Sequence, residues 1–196
     1  MAIVVEHDKR KSEILDKALD IFVEEGYEDV TYQKIADKCG ITRTTLYVYF
    51  KNKREIFQFS IKQLIARLET DLTAVLAEDI SNVEKLRKML YAVLKVCETN
   101  KKLFNVLLPY LISLQKAGKD SGERVRRRVV RMRHYMTQVF LAGQKACEFR
   151  DMSVKTLNEM FYSLIEAVIF RLAILNDATA SELYDVVDAA IEGIKR

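Results

Sequence analysis

Residues 41–50, ITRTTLYVYF, combine hydrogen-bonding and methyl-bearing side chains in a pattern that suits contact with nucleic-acid bases. On a helix, Leu46 and Phe50 lie one turn apart and face the protein core. The outward arc then carries Arg43, Thr44, Tyr47 and Val48. The segment has one basic residue and no acidic one, so its chemistry favours recognition of base edges, with phosphate contacts coming from its borders.

The outward side chains can meet a base pair in different ways. Arg43 presents a fork of N–H donors that matches guanine in the major groove. The methyl or hydroxyl group of Thr44 and the ring of Tyr47 can contact thymine methyls or the DNA backbone. Cations that can attract phosphates stand at both borders of the surrounding segment: Lys9, Arg10, Lys11, Lys51, Lys53 and Arg54.

The charge of the chain does not by itself predict DNA binding. The net charge is +4 at pH 7, but residues 1–55 hold ten Lys/Arg and eleven Asp/Glu, which is a net charge of −1. Residues 56–196 therefore contribute +5. Local placement must decide, and we expect the acids of the first segment to lie away from the groove, among them Glu24, Glu25, Glu28 and Asp29.

Breakers and caps around residues 41–50 predict short helices joined by a tight turn. A first helix spans about residues 9–25, and Gly26 follows its end. Thr31 is the N-cap of a second, short helix that Gly40 closes, and Thr42 is the N-cap of the third. A helix, a turn with glycine and another helix within about 20 residues form a helix-turn-helix, whose second helix enters the major groove.

The rest of the chain is also predicted to be helical, because Gly and Pro total only seven residues. Further helices are expected at about 53–77, 82–99, 101–117, 122–147, 153–175 and 180–195, with serines near four of their starts: Ser81, Ser121, Ser153 and Ser181. We therefore expect an all-α fold of about nine helices. A helix-turn-helix DNA-binding domain would occupy residues 1–55, and a helical effector-binding and dimerisation domain residues 56–196.

Composition argues against several other classes of protein. Three widely spaced cysteines without a CxxC pair and two histidines provide no zinc-binding spacing. There is no glycine-rich phosphate loop, and neither histidine lies in a motif with a nucleophile, so we predict no enzyme activity, no metal and no cofactor. The longest uncharged apolar run, residues 103–115, is too short to span a bilayer, and the first residues are too few for a signal peptide. We expect a cytoplasmic protein with unpaired thiols.

The N-terminal quarter of the chain resembles the TetR family of helix-turn-helix transcriptional repressors. The resemblance covers about 45 continuous residues and rests on ILDKALDIFVEEGYE from residue 14, Thr31, IADKCGI from residue 35 and TLYVYFKNKREIF from residue 45. The remaining three quarters resemble that family only in length and helical layout. The resemblance implies a transcriptional regulator that binds double-stranded DNA.

The resemblance also assigns roles to individual positions. Thr45, Tyr49 and Lys53 fall at phosphate-contacting positions, and Gln33, Arg43, Thr44 and Tyr47 fall at positions that can reach bases. The N-cap residues complete the predicted DNA-binding set: Thr31 and Thr42. Many members of the family have Gly in place of Thr44 and His in place of Tyr49, and Val48 replaces a residue that is often polar or aromatic. Tyrosine keeps a donor for phosphate but does not titrate near neutral pH as histidine does.

The last two predicted helices carry broad apolar stripes, which can be intrachain core or a dimer interface. A helix-turn-helix protein commonly binds two half-sites about 34–36 Å apart, so a homodimer is expected. The resemblance implies that these helices pair into a four-helix bundle with a twofold axis. The predicted interface comprises Phe161, Leu164, Ile165, Val168, Leu172, Leu183, Val187 and Ile191.

The resemblance further implies an apolar cavity for a small-molecule effector between the two ends of the chain. The candidate lining is Tyr91, Phe104, Tyr110, Met132, Tyr135, Met136, Phe161, Glu166 and Phe170, although aromatic and methionine side chains at helical spacing also suit a plain core. Pro109 should kink or break its helix, or mark a boundary. Glu166 is a ligand contact, an interface residue or a partner of Tyr162.

An arginine-rich stretch in residues 116–133 has two interpretations. On a helix, one arc carries Arg124, Arg127, Arg128 and Arg131. This arc can be the solvated face of an amphipathic helix, or an electropositive face for an anionic effector or for acids elsewhere in the dimer.

The leading functional hypothesis is a ligand-responsive repressor that binds a palindromic operator as a homodimer and is released by an effector. The alternatives are an effector-free DNA-organising protein with the same N-terminal domain, and a helical enzyme or carrier.

Overall fold

The described residues of the chain form a succession of helices, as the breaker pattern predicts. The structure is a computed structural model that describes residues 2–118, 122–175 and 179–196, without the side chains of 2–5, 122–130, 173, 174 and 180. Within these ranges, nine α-helices and one π-helical segment follow in order: α1 Ala2–Glu25, α2 Tyr32–Cys39, α3 Arg43–Tyr49, α4 Lys53–Ala77, α5 Asn82–Thr99, α6 Lys101–Lys116, α7 Gly122–Lys145, α8 Val154–Phe170, the π segment Arg171–Leu175, and α9 Ala180–Ile194.

The chain divides into two compact units. They are named the N-terminal unit, Met1–Arg67, and the C-terminal unit, Leu68–Arg196. Helix α4 contains the boundary between them. The predicted division between residues 55 and 56 falls earlier in the same helix, and as a division of function it stays a prediction.

The core of the N-terminal unit joins its helices through fully buried apolar side chains. The apolar face of α1 provides Ile14, Ala18 and Phe22. The ring of Phe22 meets that of Phe57 edge to face, with 4.8 Å between centroids. Inward residues of the short helices close this core: Ile35, Ala36, Cys39 and Leu46.

The C-terminal unit is built around α5, which packs against α7, α8 and α9. Its largest buried side chains form an aromatic cluster, in which Phe140 contacts Phe149 and Phe161 with centroids 6.1 and 5.6 Å apart. Helix α6 packs against the π segment Arg171–Leu175. An isolated antiparallel bridge between Phe149 and Lys195 holds the last residues against the turn after α7.

Several boundaries differ from the predicted ones. Helix α1 begins at Ala2 instead of residue 9, and α7 ends at Lys145 instead of 147. The predicted helix 153–175 is α-helical only to Phe170 and continues as the π segment. These ends depend on cap and packing geometry, which a periodic pattern does not specify.

The helix caps follow the predictions only in part. Ser81 is an N-cap, because its hydroxyl accepts from the Glu84 N–H at 3.2 Å. Ser153 precedes α8 but makes no capping hydrogen bond. The prediction of Ser181 is wrong: Thr179 caps α9 instead, in a capping box with Glu182 that satisfies a backbone donor in each direction. Ser121 lies outside the described residues.

Pro109 does not break its helix. Helix α6 continues through it from Lys101 to Lys116, which agrees with the predicted helix 101–117 and excludes two of the three alternatives, a break and a helix boundary. The ring removes the N–H that would bond to the carbonyl of Asn105. Both residues are exposed, so water can hydrate that carbonyl and the helix can continue.

Candidate nucleic-acid interface

The turn between α2 and α3 is held by its predicted caps. The Thr31 hydroxyl accepts from the Lys34 N–H at 3.2 Å, and the Thr42 hydroxyl accepts from the Thr45 N–H at 3.1 Å. Gly40 ends α2 in the left-handed region, with φ +68°, where a side chain would be strained. These local bonds give the seven-residue α3 a defined start.

Helix α3 presents one face to the core and another to solvent. Leu46 is fully buried and fastens the helix to the N-terminal unit. On the other side, Arg43 and Thr44 are exposed, while Tyr47 and Val48 have exposed fractions of 50% and 70%. This exposed face, Arg43, Thr44, Tyr47 and Val48, is named the reading arc below, and it is the arc that the sequence predicts.

Two tyrosines and an arginine form a cluster within and beside the reading arc. The Arg43 Nη2 donates to the Tyr47 hydroxyl at 3.2 Å. The ring of Tyr47 stacks on that of Tyr32, with centroids 4.5 Å apart and planes 27° apart. Tyr32 is not among the predicted residues, because it lies in another helix and no periodicity within one helix relates it to Tyr47.

Of the residues predicted to contact phosphates, Thr45 and Tyr49 lie on α3. The Thr45 and Thr42 hydroxyl oxygens are hydrogen-bonded at 2.8 Å. Tyr49, at the end of α3, stacks on His7 with centroids 4.7 Å apart. His7 is also absent from the predicted residues, since α1 was expected to start only after it.

Lys53 has less freedom than expected for a phosphate contact. Its ammonium donates to the carbonyls of Tyr27 and Glu28, at 2.7 and 3.1 Å, and lies 4.6 Å from the centroid of the Tyr27 ring. A lysine has three N–H donors, so a phosphate contact would use the remaining one.

Gln33 is exposed on α2, and its side-chain amide donates to Asp37 at 2.8 Å. The acids that were expected to lie away from the groove are partly neutralised. Glu24 pairs with Lys38, and Glu25 pairs with Lys34. Each of these pairs also uses a cation, so the net −1 of residues 1–55 is unchanged, and the charge within α3 itself is that of Arg43.

Most predicted dimer residues are buried within a single chain. Exposed fractions are 8% or less for seven of the eight: Phe161, Ile165, Val168, Leu172, Leu183, Val187 and Ile191. Leu164 is half-buried. The intrachain alternative therefore describes these seven, because all of them belong to the buried core cluster of a single chain. The exposed large apolar side chains on α8 and α9 are their neighbours Met160, Phe170 and Val186.

The predicted effector residues fall into three environments. Tyr110, Met136 and Phe161 are buried, and Tyr91, Phe104, Met132 and Tyr135 are half-buried. Glu166 and Phe170 are exposed. An open cleft in the described part of the C-terminal unit involves none of the nine, and its lining is Ser81, Val83, Glu84, Arg87, Glu148, Lys195 and Arg196.

Tyr91 has a clear structural role. Its hydroxyl donates to Asp188 at 2.6 Å, and Asp188 also accepts from Arg87 at 2.9 Å, which joins α5 to α9. This hydrogen bond, followed by burial, raises the pKa of Tyr91 to about 12. The same bond is the largest cause that lowers the pKa of Asp188. These directions agree, since the bond needs a protonated phenol and an ionised carboxylate.

The arginine-rich arc lies mostly outside the described side chains, which include neither Arg124, Arg127 nor Arg128. Arg131 is exposed and pairs with Glu69 at 3.1 Å, which fits the interpretation as a solvated face at that position. In the described residues, no group of three or more His, Cys, Asp or Glu side chains suits a metal ion. No helix in the same ranges is apolar over the length that a membrane crossing requires.

Comparison with known proteins supports the interpretation of α2 and α3 as a helix-turn-helix. The family model described as bacterial regulatory proteins, tetR family, matches residues 14–58. A relative, the HTH-type transcriptional regulator SrpR of Pseudomonas putida, is 28% identical over 171 residues, which cover 85% of this chain and 76% of that protein.

Solved structures show the same fold over nearly the whole chain. A TetR transcription regulator from Haloarcula marismortui is 20% identical, with a TM-score of 0.83 over 96% of this chain and all of that one. A putative transcriptional regulator from Saccharomonospora viridis, in complex with choline, is 19% identical, with a TM-score of 0.81 over 96% of this chain and 99% of that one. All of these proteins are named as regulators, and none as an enzyme. Residues 14–58 therefore carry a DNA-binding domain of the tetR type, and the chain as a whole is similar to transcriptional regulators of that family.

Proposed function

We propose that this chain is a ligand-responsive repressor, which binds a palindromic operator as a homodimer and is released by a small-molecule effector. The observation that carries the DNA-binding part is the reading arc. A short capped helix, fastened by the buried Leu46, exposes a guanidinium, a threonine and a phenol side by side. A repressor needs such a surface because base edges are recognised by hydrogen bonds and methyl contacts.

Within this proposal, contacts to bases and contacts to phosphates come from different residues. Arg43 donates to a guanine, Thr44, Tyr47 and Val48 meet neighbouring base edges, and Gln33 reaches bases from α2. The backbone is held by Thr31, Thr42, Thr45, Tyr49 and Lys53. Phosphate contacts set the register and the salt dependence, while base contacts set the preference for one sequence.

A homodimer suits this DNA-binding unit, because two copies of the reading arc related by a twofold axis match two half-sites about 34–36 Å apart. Since the predicted interface residues are mostly buried in one chain, the exposed Met160, Phe170 and Val186 of α8 and α9 are the better candidates for direct contact. A Phe170→Asp change should then convert the dimer into a monomer, which sedimentation at micromolar concentration would detect. A wild-type chain that sediments as a monomer would remove the dimer from the proposal.

An effector is proposed from the choline-bound regulator of S. viridis and from the mixed burial of the candidate lining residues. Two ligands that bind one two-state protein must influence each other equally. An effector that weakens operator binding must therefore itself bind more weakly to the DNA complex. An effector whose affinity is the same with and without operator would contradict release by this mechanism and favour the DNA-organising alternative.

The DNA-binding part is tested by footprinting the protein on the intergenic DNA upstream of its own gene. Arg43→Ala should weaken discrimination between the protected site and random duplex by about 1–3 kcal/mol, and relax preference at one base pair. Lys38→Ala is the matched control: it also removes a cation from the N-terminal unit, but one already paired with Glu24. If Arg43→Ala discriminates as well as the control, Arg43 does not read a base.

A further inference from the structure

We propose that Tyr32 is a positioning residue for DNA recognition: its ring holds Tyr47 and the Arg43 guanidinium in the orientation that meets the base edges. The inference rests on the proposed base contact of Arg43. It adds a residue of α2 that neither the sequence pattern nor the family resemblance assigns to DNA recognition.

Tyr32 is attached to the end of α3 by a hydrogen bond. It is the first residue of α2, directly after the N-cap Thr31. Its hydroxyl donates to the carbonyl of Phe50 at 2.6 Å, across 18 residues of sequence. Phe50 is the C-cap of α3 and is buried, so the acceptor has a fixed position. The phenol therefore links the start of α2 to the end of α3.

The rings of Tyr32 and Tyr47 are stacked. With ring centroids 4.5 Å apart and planes 27° apart, Tyr32 covers one face of Tyr47. Half of Tyr47 is exposed, so without this stack its ring would have several rotamers open to it in solvent. The stack selects one orientation of the ring before DNA arrives.

The Arg43 guanidinium lies near both tyrosine rings. The Arg43 Cζ lies 5.9 Å from the centroid of Tyr32 and 5.7 Å from that of Tyr47, within the range of a cation–π interaction. Its Nη2 also donates to the Tyr47 hydroxyl. In the described residues, rings and a hydroxyl hold this cation, and no carboxylate pairs with it. Its charge is thus oriented without being neutralised.

The protonation state of Tyr32 is compatible with this role. Burial, followed by the proximity of Tyr47 and Glu55, raises the pKa of Tyr32 to about 12. The hydroxyl therefore remains a donor to Phe50 at neutral pH. Because preorganised groups lose less conformational entropy on binding, a fixed Arg43 favours the correct operator.

A purely structural role for Tyr32 predicts a different result. If the phenol only ties α2 to α3, its loss lowers the stability of the N-terminal unit and weakens binding to every DNA sequence alike. If it positions Arg43 and Tyr47, its loss reduces preference for the operator over random duplex. Phosphate contacts, and hence the salt dependence of binding, should stay unchanged.

The experiment compares Tyr32→Leu with Tyr32→Phe in the full chain, using the protected site found by footprinting and random duplex of equal length. Tyr32→Leu removes the ring, and we expect the ratio of the two affinities to fall about 3- to 10-fold, the size of one ring contact. Tyr32→Phe keeps the ring and loses the bond to Phe50, so the ratio should recover most of its wild-type value. Thermal melts followed by circular dichroism report stability separately.

Two further measurements identify the route of the effect. In an Arg43→Ala background, Tyr32→Leu should cause little additional loss of the affinity ratio, because its main partner is absent. In the DNA-free protein, NMR relaxation of the Arg43 Nε–H should show greater mobility in Tyr32→Leu than in Tyr32→Phe. The NMR measurement needs no operator, so it also tests a variant that binds DNA poorly.

The outcomes separate the two proposals. A normal affinity ratio in Tyr32→Leu, together with a reduced ratio in Arg43→Ala, would overturn the positioning role and leave the base contact intact. Equal loss of affinity for both DNAs in Tyr32→Leu would assign Tyr32 a structural role only. A normal ratio in Arg43→Ala would overturn both the base contact and the positioning of Arg43.

Discussion

The two units of this chain expose very different surfaces. On α3 of the N-terminal unit, the exposed side chains are mainly polar or aromatic and adjacent, and they are held by hydrogen bonds and stacked rings. On α8 and α9 of the C-terminal unit, exposed apolar side chains such as Phe170 and Val186 lie between residues of a continuous core. The first surface is organised locally, within 20 residues. The second can be interpreted only with knowledge of what packs where.

This difference affects what can be learned from a local motif. Helix α3 has its cap, its buried anchor and its exposed arc within one short segment, so residue type and spacing describe it well. Helix α8 has an apolar stripe that suits a core, a cavity lining or a dimer face equally. Burial in the folded chain assigns most of that stripe to the core.

The largest expected effect tests whether Phe161 is core or cavity lining. It is fully buried against Phe140, so Phe161→Ala should lower the free energy of unfolding of the C-terminal unit by about 3–5 kcal/mol. Lys155→Ala, at an exposed position of the same helix, is the control. Guanidinium denaturation followed by circular dichroism measures both. Unchanged stability in Phe161→Ala together with altered effector binding would make Phe161 a cavity residue instead.

An intermediate effect is expected at the link between α5 and α9. Asp188→Ala removes the bonds to Arg87 and Tyr91 and should cost about 1–2 kcal/mol of stability, since the group is partly exposed and screened. Asp185→Ala, on the same helix, is the control. Urea titrations of the two variants at neutral pH give the difference, and equal stabilities would show that the link contributes nothing.

The same link gives the C-terminal unit a defined pH dependence. The folded pKa of Asp188 is lowered, so its contribution is present above the ordinary value of 3.8 and is lost as the pH falls through the folded pKa. The folded pKa of Tyr91 is raised to about 12, so its contribution is present below 10.0 and is lost as the pH rises toward 12. The advantage of the wild type over Asp188→Ala should therefore shrink at both ends of the pH range.

The smallest effect compares one kind of cap in the two units. Thr42 and Thr179 each accept a backbone N–H at a helix start, so Thr42→Ala and Thr179→Ala should each cost about 1 kcal/mol of stability. We expect only Thr42→Ala to weaken DNA binding as well, because its helix carries the reading arc. Calorimetry and a DNA titration of both variants test this. Weaker DNA binding in Thr179→Ala would show that the cap of α9 also influences the reading arc.

Much of the N-terminal unit was predictable because its signals are local. Thr31, Gly40 and Thr42 specify where two helices begin or end, and the spacing of Leu46 and Phe50 specifies which face is buried. The contribution of Tyr32 was not predictable in this way. Its ring meets Tyr47 only because α2 and α3 cross, and no pattern within either helix contains that contact.

The C-terminal unit shows the opposite balance. Its helices were predictable from composition and breakers, and most of their bounds agree within one or two residues with the structure. Thr179 instead of Ser181 as a cap, and an unbroken α6 at Pro109, depend on small local differences in hydrogen bonding and hydration. The burial of Val187 and Ile191 depends on α5 lying across them.

The amino-acid sequence by itself determined that this protein is helical, that it carries a helix-turn-helix, and that Arg43, Thr44 and Tyr47 face outward from it. These properties depend on backbone propensities, caps and periodicity, which act between residues a few positions apart. Only the tertiary structure decided which apolar stripes are core, which cations are already paired, and that Tyr32 and His7 contact the tyrosines of α3. Such contacts join residues from different helices, so they exist only once packing brings those helices together.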